Sequence, residues 1–314
     1  MKKFLLKVLL FACTIILVDW VSGFAFDLIQ HYAFERDPAR FEVRAMYAIE
    51  KAVSELDIIG ASDASHTYIS NMITDSIGLK TYNYGKDGSF FIYQNCLINL
   101  MLQNHTPKAI IWEIGKGKLS LNENDKVTEW RRIQDFYPYY KDNNYCKKLI
   151  NKRDRYQRLY MLSGLYRHNS GILSMLEPFV THNLTDNSLG GYLPLPNKGY
   201  SYPTFQDRKT AEDNIDTMKV NLLKETLDKC ANKGVKVIFC FSPQYSYDVD
   251  EGTAQHKELM KISEKYQIPV IDYRQNEYFM QDSTFFKDNR HLNDKGAHIY
   301  MRYLIPELKH ILID

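Results

Sequence analysis

Asn232-Lys233-Gly234-Val235-Lys236-Val237-Ile238-Phe239-Cys240-Phe241 decides how this chain is to be read. Upstream of Gly234, Ile215, Met218, Leu222 and Leu223 recur at helical spacing within 210–233. Glycine just beyond such a run is where a helix closes in a left-handed residue. Downstream, 235–241 is short, apolar, and β-branched or aromatic, the mark of a strand buried on both faces. Working outward, four more runs of the same kind lie at 57–60, 80–84, 109–114 and 269–273. A second helical pattern fills 253–267, and a last one starts near Asn293. Strands alternating with helices predict an α/β domain over 55–314, a doubly wound, flavodoxin-like sheet of five parallel strands.

The rhythm breaks between about 116 and 205, a stretch rich in Tyr, Asn and Arg with one helical pattern at 155–179. It is expected to be an insertion over the carboxyl edge of the sheet, acting either as a lid or as a packing layer. Its tyrosines (Tyr137, Tyr139, Tyr140, Tyr192, Tyr200 and Tyr202) suit stacking on sugar rings or plain packing.

Composition narrows the class. In 314 residues, 45% hydrophobic and 25% charged, 40 basic side chains face 38 acidic ones, a formal charge of +2. So balanced a chain has no broad cationic field, which excludes a general nucleic-acid binder. The five cysteines show no Cys-x-x-Cys spacing, and no disulfide is expected. His105, His168 and His182 have no carboxylate at ligand spacing, so neither metal nor cofactor is expected.

Lys2, Lys3 and Lys7 precede an uncharged run to Val18, and after Asp19 the chain is apolar again from Trp20 to Phe26. One reading is a secretory signal with a cleavage site near Val21-Ser22-Gly23. The other, preferred here, is an uncleaved signal-anchor over 1–26, long enough to span a bilayer. Residues 27–54 then form a helical stalk. Either way the lysines stay inside and the domain is extracytoplasmic.

Two ends of the chain carry chemistry. The first strand runs into Gly60-Ala61-Ser62-Asp63, which places a hydroxyl at the carboxyl end of the sheet and a backbone N–H at a helix start. The second strand ends Asn83-Tyr84-Gly85, where glycine admits close backbone approach. A helix-capping serine and a tight turn explain these two equally well. In Phe286-Lys287-Asp288-Asn289-Arg290-His291-Leu292-Asn293-Asp294-Lys295-Gly296-Ala297, the Asp288 carboxylate can fold back on one imidazole nitrogen of His291 and leave the other free as a base. Asp63 and His66 form a second Asp-x-x-His pair, expected to lie inside a helix with its imidazole turned away from Ser62.

Gly-x-Ser after strand one, Asn-x-Gly after strand two and Asp-x-x-His-Leu-Asn-x-x-Gly before the last helix resemble the SGNH/GDSL hydrolase superfamily across 55–314. The resemblance implies Ser62 as nucleophile, His291 as general base, Asp288 as its orienting residue, and the Ser62 and Gly85 amides as an oxyanion hole. Ala61 stands where the family has aspartate. After strand three the family has Gly-x-Asn-Asp, whose Asn supplies a third oxyanion donor, and Trp112-Glu113-Ile114-Gly115-Lys116-Gly117 has no Asn in register. With its anchor, the chain is similar in architecture to envelope proteins that transfer D-alanyl groups or handle acetyl groups on exported polysaccharide. That likeness implies an esterase or O-acyltransferase acting on an acylated glycan or polymer, with a multi-pass acyltransferase as a possible partner. The alternative it leaves is a catalytically degenerate module that binds glycan or partners in an export complex.

Overall fold

The computed structural model describes residues 1–37, 40–115, 118–121, 126–168, 187–197, 214–245 and 252–313. It divides into two units: Met1–Tyr47 with Ile133–Thr185, and Ala48–Arg132 with Asp186–Asp314.

The second unit holds all five expected strands: β1 Leu56–Ile59, β2 Thr81–Asn83, β3 Ala109–Glu113, β4 Lys236–Phe241 and β5 Val270–Asp272. Their order is β2-β1-β3-β4-β5, and every pair is parallel. This is the flavodoxin-like doubly wound order, whose direction reverses at β1/β3 and opens a crevice beyond their carboxyl ends. In chain order its helices are α2 Ser62–Ser65, α3 Ser70–Ile77, α4 Phe91–Asn104, α8 Thr217–Asn232, α9 Ala254–Lys265 and α10 Asp294–Leu312.

Alternation along the strands feeds two cores. Ile58, Ile111 and Ile238 pack with Ile73 of α3 and Tyr300, Met301 and Leu304 of α10. On the other face Trp112 stacks on Phe91 at 5.7 Å, meets Phe239 edge-on, and donates to Gln94 Oε1. All four residues of β1 and all five of β3 are buried, which is why their sequences are mainly apolar, Asp57 and Glu113 being the exceptions.

The helix expected over 210–233 starts at Thr217. The Asp216 carboxylate accepts from the Met218 and Lys219 N–H groups and caps it there, leaving Ile215 before the helix. Residues 210–213 lie outside the described part.

The first unit is built on α1 Lys2–Arg36, a 35-residue helix long and apolar enough to cross a membrane, which supports membrane anchoring. It runs on without a break past Phe26. Phe34 of α1 packs with Val43, Met46 and Tyr139. Further along lie α5 Asn144–Ile150, α6 Gln157–Tyr160 and α7 Gly164–His168. The single helical stretch expected at 155–179 is therefore broken. Ser163 interrupts it, its hydroxyl accepting from the Tyr166 N–H as a new turn begins; residues 169–179 are outside the described part. Tyr137, Tyr140 and Tyr192 are buried, which makes them packing residues; Tyr200 and Tyr202 fall outside.

Residues 187–197 belong to the second unit. Gly190 O accepts from the Asn83 N–H, and the Leu193 N–H donates to Ser65 O. Gly191, at φ 84°, lies so close to Asn83 that a Cβ would come within 2.1 Å of the Asn83 carbonyl oxygen. Only glycine fits there.

Candidate active site

Ser62 stands first in α2, past the end of β1, at the crevice where the strand order reverses. The turn into it requires Gly60, because a Cβ there would lie 2.6 Å from Ala64 and 2.8 Å from Glu113 at the end of β3. The Ser62 N–H has no acceptor among the described residues.

The opposing loop closes on itself. Phe286 bridges Leu292, and the Lys287 N–H donates to His291 O. Within it Asp288 Oδ1 accepts from the Arg290 and His291 N–H groups at 2.9 and 2.8 Å, an Asx-type turn. Asn293 then caps α10 through the Gly296 N–H, and a Cβ on Gly296 would meet Phe285 O at 2.1 Å. The Asn and Gly of the motif are thus structural: they hold the loop while its Asp and His face inward.

The loop delivers His291 Nε2 to 2.8 Å from Ser62 Oγ, and Asp288 Oδ2 to 2.9 Å from His291 Nδ1. The structure brings these three predicted residues together. Partial burial works to raise the Asp288 carboxyl, but hydrogen bonds from the His291 ring and from the two backbone N–H groups hold it well below the usual carboxylate range.

Gly85 is placed differently from the expectation. Its N–H donates to Asn83 Oδ1 at 2.9 Å, and its Cα packs against Ser65 N. Asn83 in turn donates through Nδ2 to Ala64 O and Tyr68 O. The Asn-x-Gly motif therefore staples β2 to the end of α2, and the Gly85 amide is not presented to an oxyanion.

The Asp63/His66 pair does not exist. Buried Asp63 takes the Arg290 guanidinium on both oxygens and lies 3.6 Å from His291 Nε2. Burial works to raise this carboxyl, but Arg290, then His291, hold it below its usual value. His66 lies beside His291, ring centroids 6.0 Å apart, with Nδ1 on Leu193 O and Nε2 on Asp87 Oδ2. Sequence spacing gave no sign of the Asp63–Arg290 clamp or of Asp87. Nor did it show that Glu113, the last residue of β3, receives hydrogen bonds from the Tyr68 hydroxyl and the Ser242 N–H. Burial, with the Asp63 charge second, pushes Glu113 up to about 8, so it is neutral at pH 7.

A cleft of about 240 Å³ opens beside Ser62, lined among others by Gly88, Phe90, Lys118, Ser120, Glu129 and Arg290. Glu129 is paired to Lys219 at 2.7 Å, and Asp63 to Arg290. Lys118 also lines it, its ammonium pushed down to about 8 by burial first and then by the Arg290 charge. Among the described residues no cluster of three His, Cys, Asp or Glu is placed to hold a metal. His105 and His168 pair with Asp57 and Asp27; His182 lies outside.

No family model matches the chain, and no curated protein does. It is similar to the solved structure of an acetyl xylan esterase, at 13% identity and TM-score 0.39 over 82% of this chain and 100% of that one. It is likewise similar to a GDSL-like lipase from Bacteroides thetaiotaomicron, at 10% identity and TM-score 0.36 over 86% and 100%.

Proposed function

We propose that this chain is a membrane-anchored, extracytoplasmic serine esterase or O-acyltransferase of the SGNH/GDSL type, acting on an acylated envelope glycan or polymer. One observation carries the reading. A line of hydrogen bonds from Asp288 through His291 to Ser62 closes across 229 positions of sequence, at the crevice where this sheet order binds ligands.

In the first half-reaction Ser62 Oγ attacks the ester carbonyl carbon while His291 Nε2 takes the hydroxyl proton. The carbonyl π electrons move onto oxygen. The Ser62 N–H, which has no acceptor among the described residues, is the proposed donor for that oxyanion, and Lys118 adds a positive charge nearby. Asp288 at Nδ1 and Asp63 at 3.6 Å from Nε2 favour the imidazolium as it forms. The ester C–O bond then breaks, His291 returns the proton to the leaving alcohol, and the acyl group remains on Ser62. Water or an acceptor hydroxyl repeats the sequence in reverse, which is hydrolysis in the first case and transfer in the second. Transfer needs an acyl donor, for which a multi-pass membrane acyltransferase is the proposed partner. Lys2, Lys3 and Lys7 at the start of α1 favour a cytoplasmic N-terminus and so an extracytoplasmic domain.

A second reading, a degenerate module that binds glycan or partners in an export complex, is favoured by the oxyanion side. The Gly85 amide is occupied, and no asparagine after β3 stands in register for the third oxyanion donor of the family it resembles. Labelling of the full chain with a fluorophosphonate probe, alongside turnover of a short-chain aryl ester, separates the two. The enzyme reading expects labelling and turnover that both vanish in Ser62→Ala. A wild type that does neither leaves the binding module.

A further inference from the structure

We infer that residues 157–168 form a re-entrant segment sunk into the leaflet next to the folded domain, with Leu159, Leu162 and Leu165 inserted among lipid acyl chains. This does not depend on the chemistry assigned to Ser62.

Depth is fixed by α1. At about 1.5 Å per helical residue, Lys7 to Asp27 spans about 30 Å, the thickness of a hydrocarbon core. Asp19 then lies about 12 Å inside the far boundary. A carboxylate at that depth must be satisfied by protein. Asp19 Oδ1 accepts from Ser163 Oγ at 2.6 Å and from the Leu165 N–H at 3.1 Å, and Oδ2 from the Gly164 N–H at 2.8 Å. Those N–H groups begin a helical turn and would otherwise be unpaired. Irregular backbone at membrane depth is tolerated only when satisfied in this way.

The contact continues along one stripe of α1. One turn on, Gly23 meets Gly164 so closely that a Cβ on either would lie 2.6 Å from the Cα of the other. Such small-residue contacts let backbones pack in membranes. Another turn on, Asp27 Oδ1 holds His168 Nε2 at 2.9 Å, and Arg167 lies at 3.7 Å. The segment therefore rises from the level of Asp19 to that of Asp27, and whatever is bonded to Asp19 shares its depth.

Its exposed side is mainly apolar, with Leu162 73% exposed, Leu159 62% and Leu165 40%; Arg158, also exposed, is long enough to snorkel to the headgroups. With Ile15, Ile16 and Val18 of α1 they line an open trough of about 730 Å³. The trough is continuous with the lipid-facing side of the anchor, so acyl chains are its occupant. Removal of α1 behind Gly23 would strip Asp19 from the turn it satisfies, so the segment also requires an uncleaved anchor.

The test uses the full chain with Cys13→Ser, since the other four cysteines are buried. Leu162→Cys and, as an exposed control on the other unit, Lys265→Cys are reconstituted in vesicles of phosphatidylcholine with a minority of phosphatidylglycerol. The expected result for Leu162→Cys is loss of labelling by a membrane-impermeant maleimide, restored by detergent. Its attached NBD dye is also expected to be quenched by doxyl-labelled acyl chains, whereas Lys265→Cys labels freely and is not quenched. Labelling of Leu162→Cys at the control rate overturns the inference. Protection without doxyl quenching also overturns it, because protein then covers the leucines. So does a mature chain that begins after Gly23.

Discussion

Two imidazoles sit 6.0 Å apart at the carboxyl edge of the sheet, and their neighbours give them different capacities. His66 faces acceptors on both sides, the Leu193 carbonyl and the Asp87 carboxylate, so both of its ring nitrogens are asked to donate. That arrangement suits an imidazolium and leaves no lone pair for a serine. His291 faces a carboxylate on Nδ1 and, on Nε2, a hydroxyl that can donate. It can therefore accept a proton while neutral. Both histidines follow an aspartate at the same Asp-x-x-His spacing. What separates them is the chemistry brought to the second nitrogen by remote parts of the chain.

The largest effect is expected from the side of the comparison that can act as base. Ser62→Ala and His291→Ala should each lower ester turnover by about 10⁴-fold or more, and the double variant should lose little beyond either, because the two act as one unit. Losses that multiply would mean that the two groups act independently and would break the triad.

Asp288→Asn should cost about one to two orders of magnitude less than either single alanine variant. The Asn Oδ1 can still accept the Arg290 and His291 N–H groups, so the loop keeps its shape. Its amide N–H would face Nδ1 and drive the ring proton to Nε2, the wrong nitrogen for a base. The correct tautomer remains accessible at a cost, which is why the loss should fall short of that in His291→Ala. Equal losses would show that the carboxylate does more than orient.

The sheet was legible because its inner strands are buried on both faces: 57–60, 109–114 and 235–241 are apolar but for Asp57, Glu113 and Lys236. The Asp288–His291 loop was legible because the turn that makes it is local, four residues closed by backbone hydrogen bonds. Asp63 was misread for the opposite reason: Arg290 reaches it across 227 positions, a partnership with no spacing to read. Gly85 was misread although its partner is local, because the Asn-x-Gly spacing does not tell whether the Asn83 side chain turns back onto the Gly85 amide. The break in the helix at Ser163 depends on Asp19, an acceptor 144 residues upstream.

A smaller effect is expected at Glu113, buried at the end of β3. Its carboxyl is raised to about 8, so an unfolded chain releases this proton from about 4.5 while the folded chain keeps it. The unfolded state binds fewer protons through that window, and stability falls as pH rises across it. Glu113→Gln cannot ionise and can still accept from Ser242 and Tyr68. Its Tm relative to wild type should therefore improve between pH 5 and pH 8. A relative Tm that declines over that range would show that the glutamate is ionised in the fold.

The smallest effect on turnover is expected at His66. Since neither nitrogen is free to take the Ser62 proton, His66→Gln should leave ester turnover within about threefold of wild type; a loss matching His291→Ala would exchange the roles of the two histidines. The change should instead appear in stability, with a definite sign. Burial works to lower the His66 pKa, but the bonds to Asp87 and Leu193 O raise it above its ordinary value of about 6.5. The stability it contributes is therefore fully present below that value and is lost as pH rises through the folded-state pKa. Asp87, lowered from 3.8 against its burial by the bonds from His66 and Ser65, has the complementary behaviour: its share is present above 3.8 and lost below its folded pKa. The pair is thus fully ionic near pH 5.5. There His66→Gln should lower Tm by about 2–4 °C, the shift that about 1 kcal/mol gives in a domain of this size, and the deficit should shrink by pH 9. A deficit that grows toward pH 9 would mean that His66 is neutral in the fold, and the contrast between the two imidazoles would fail at its first step.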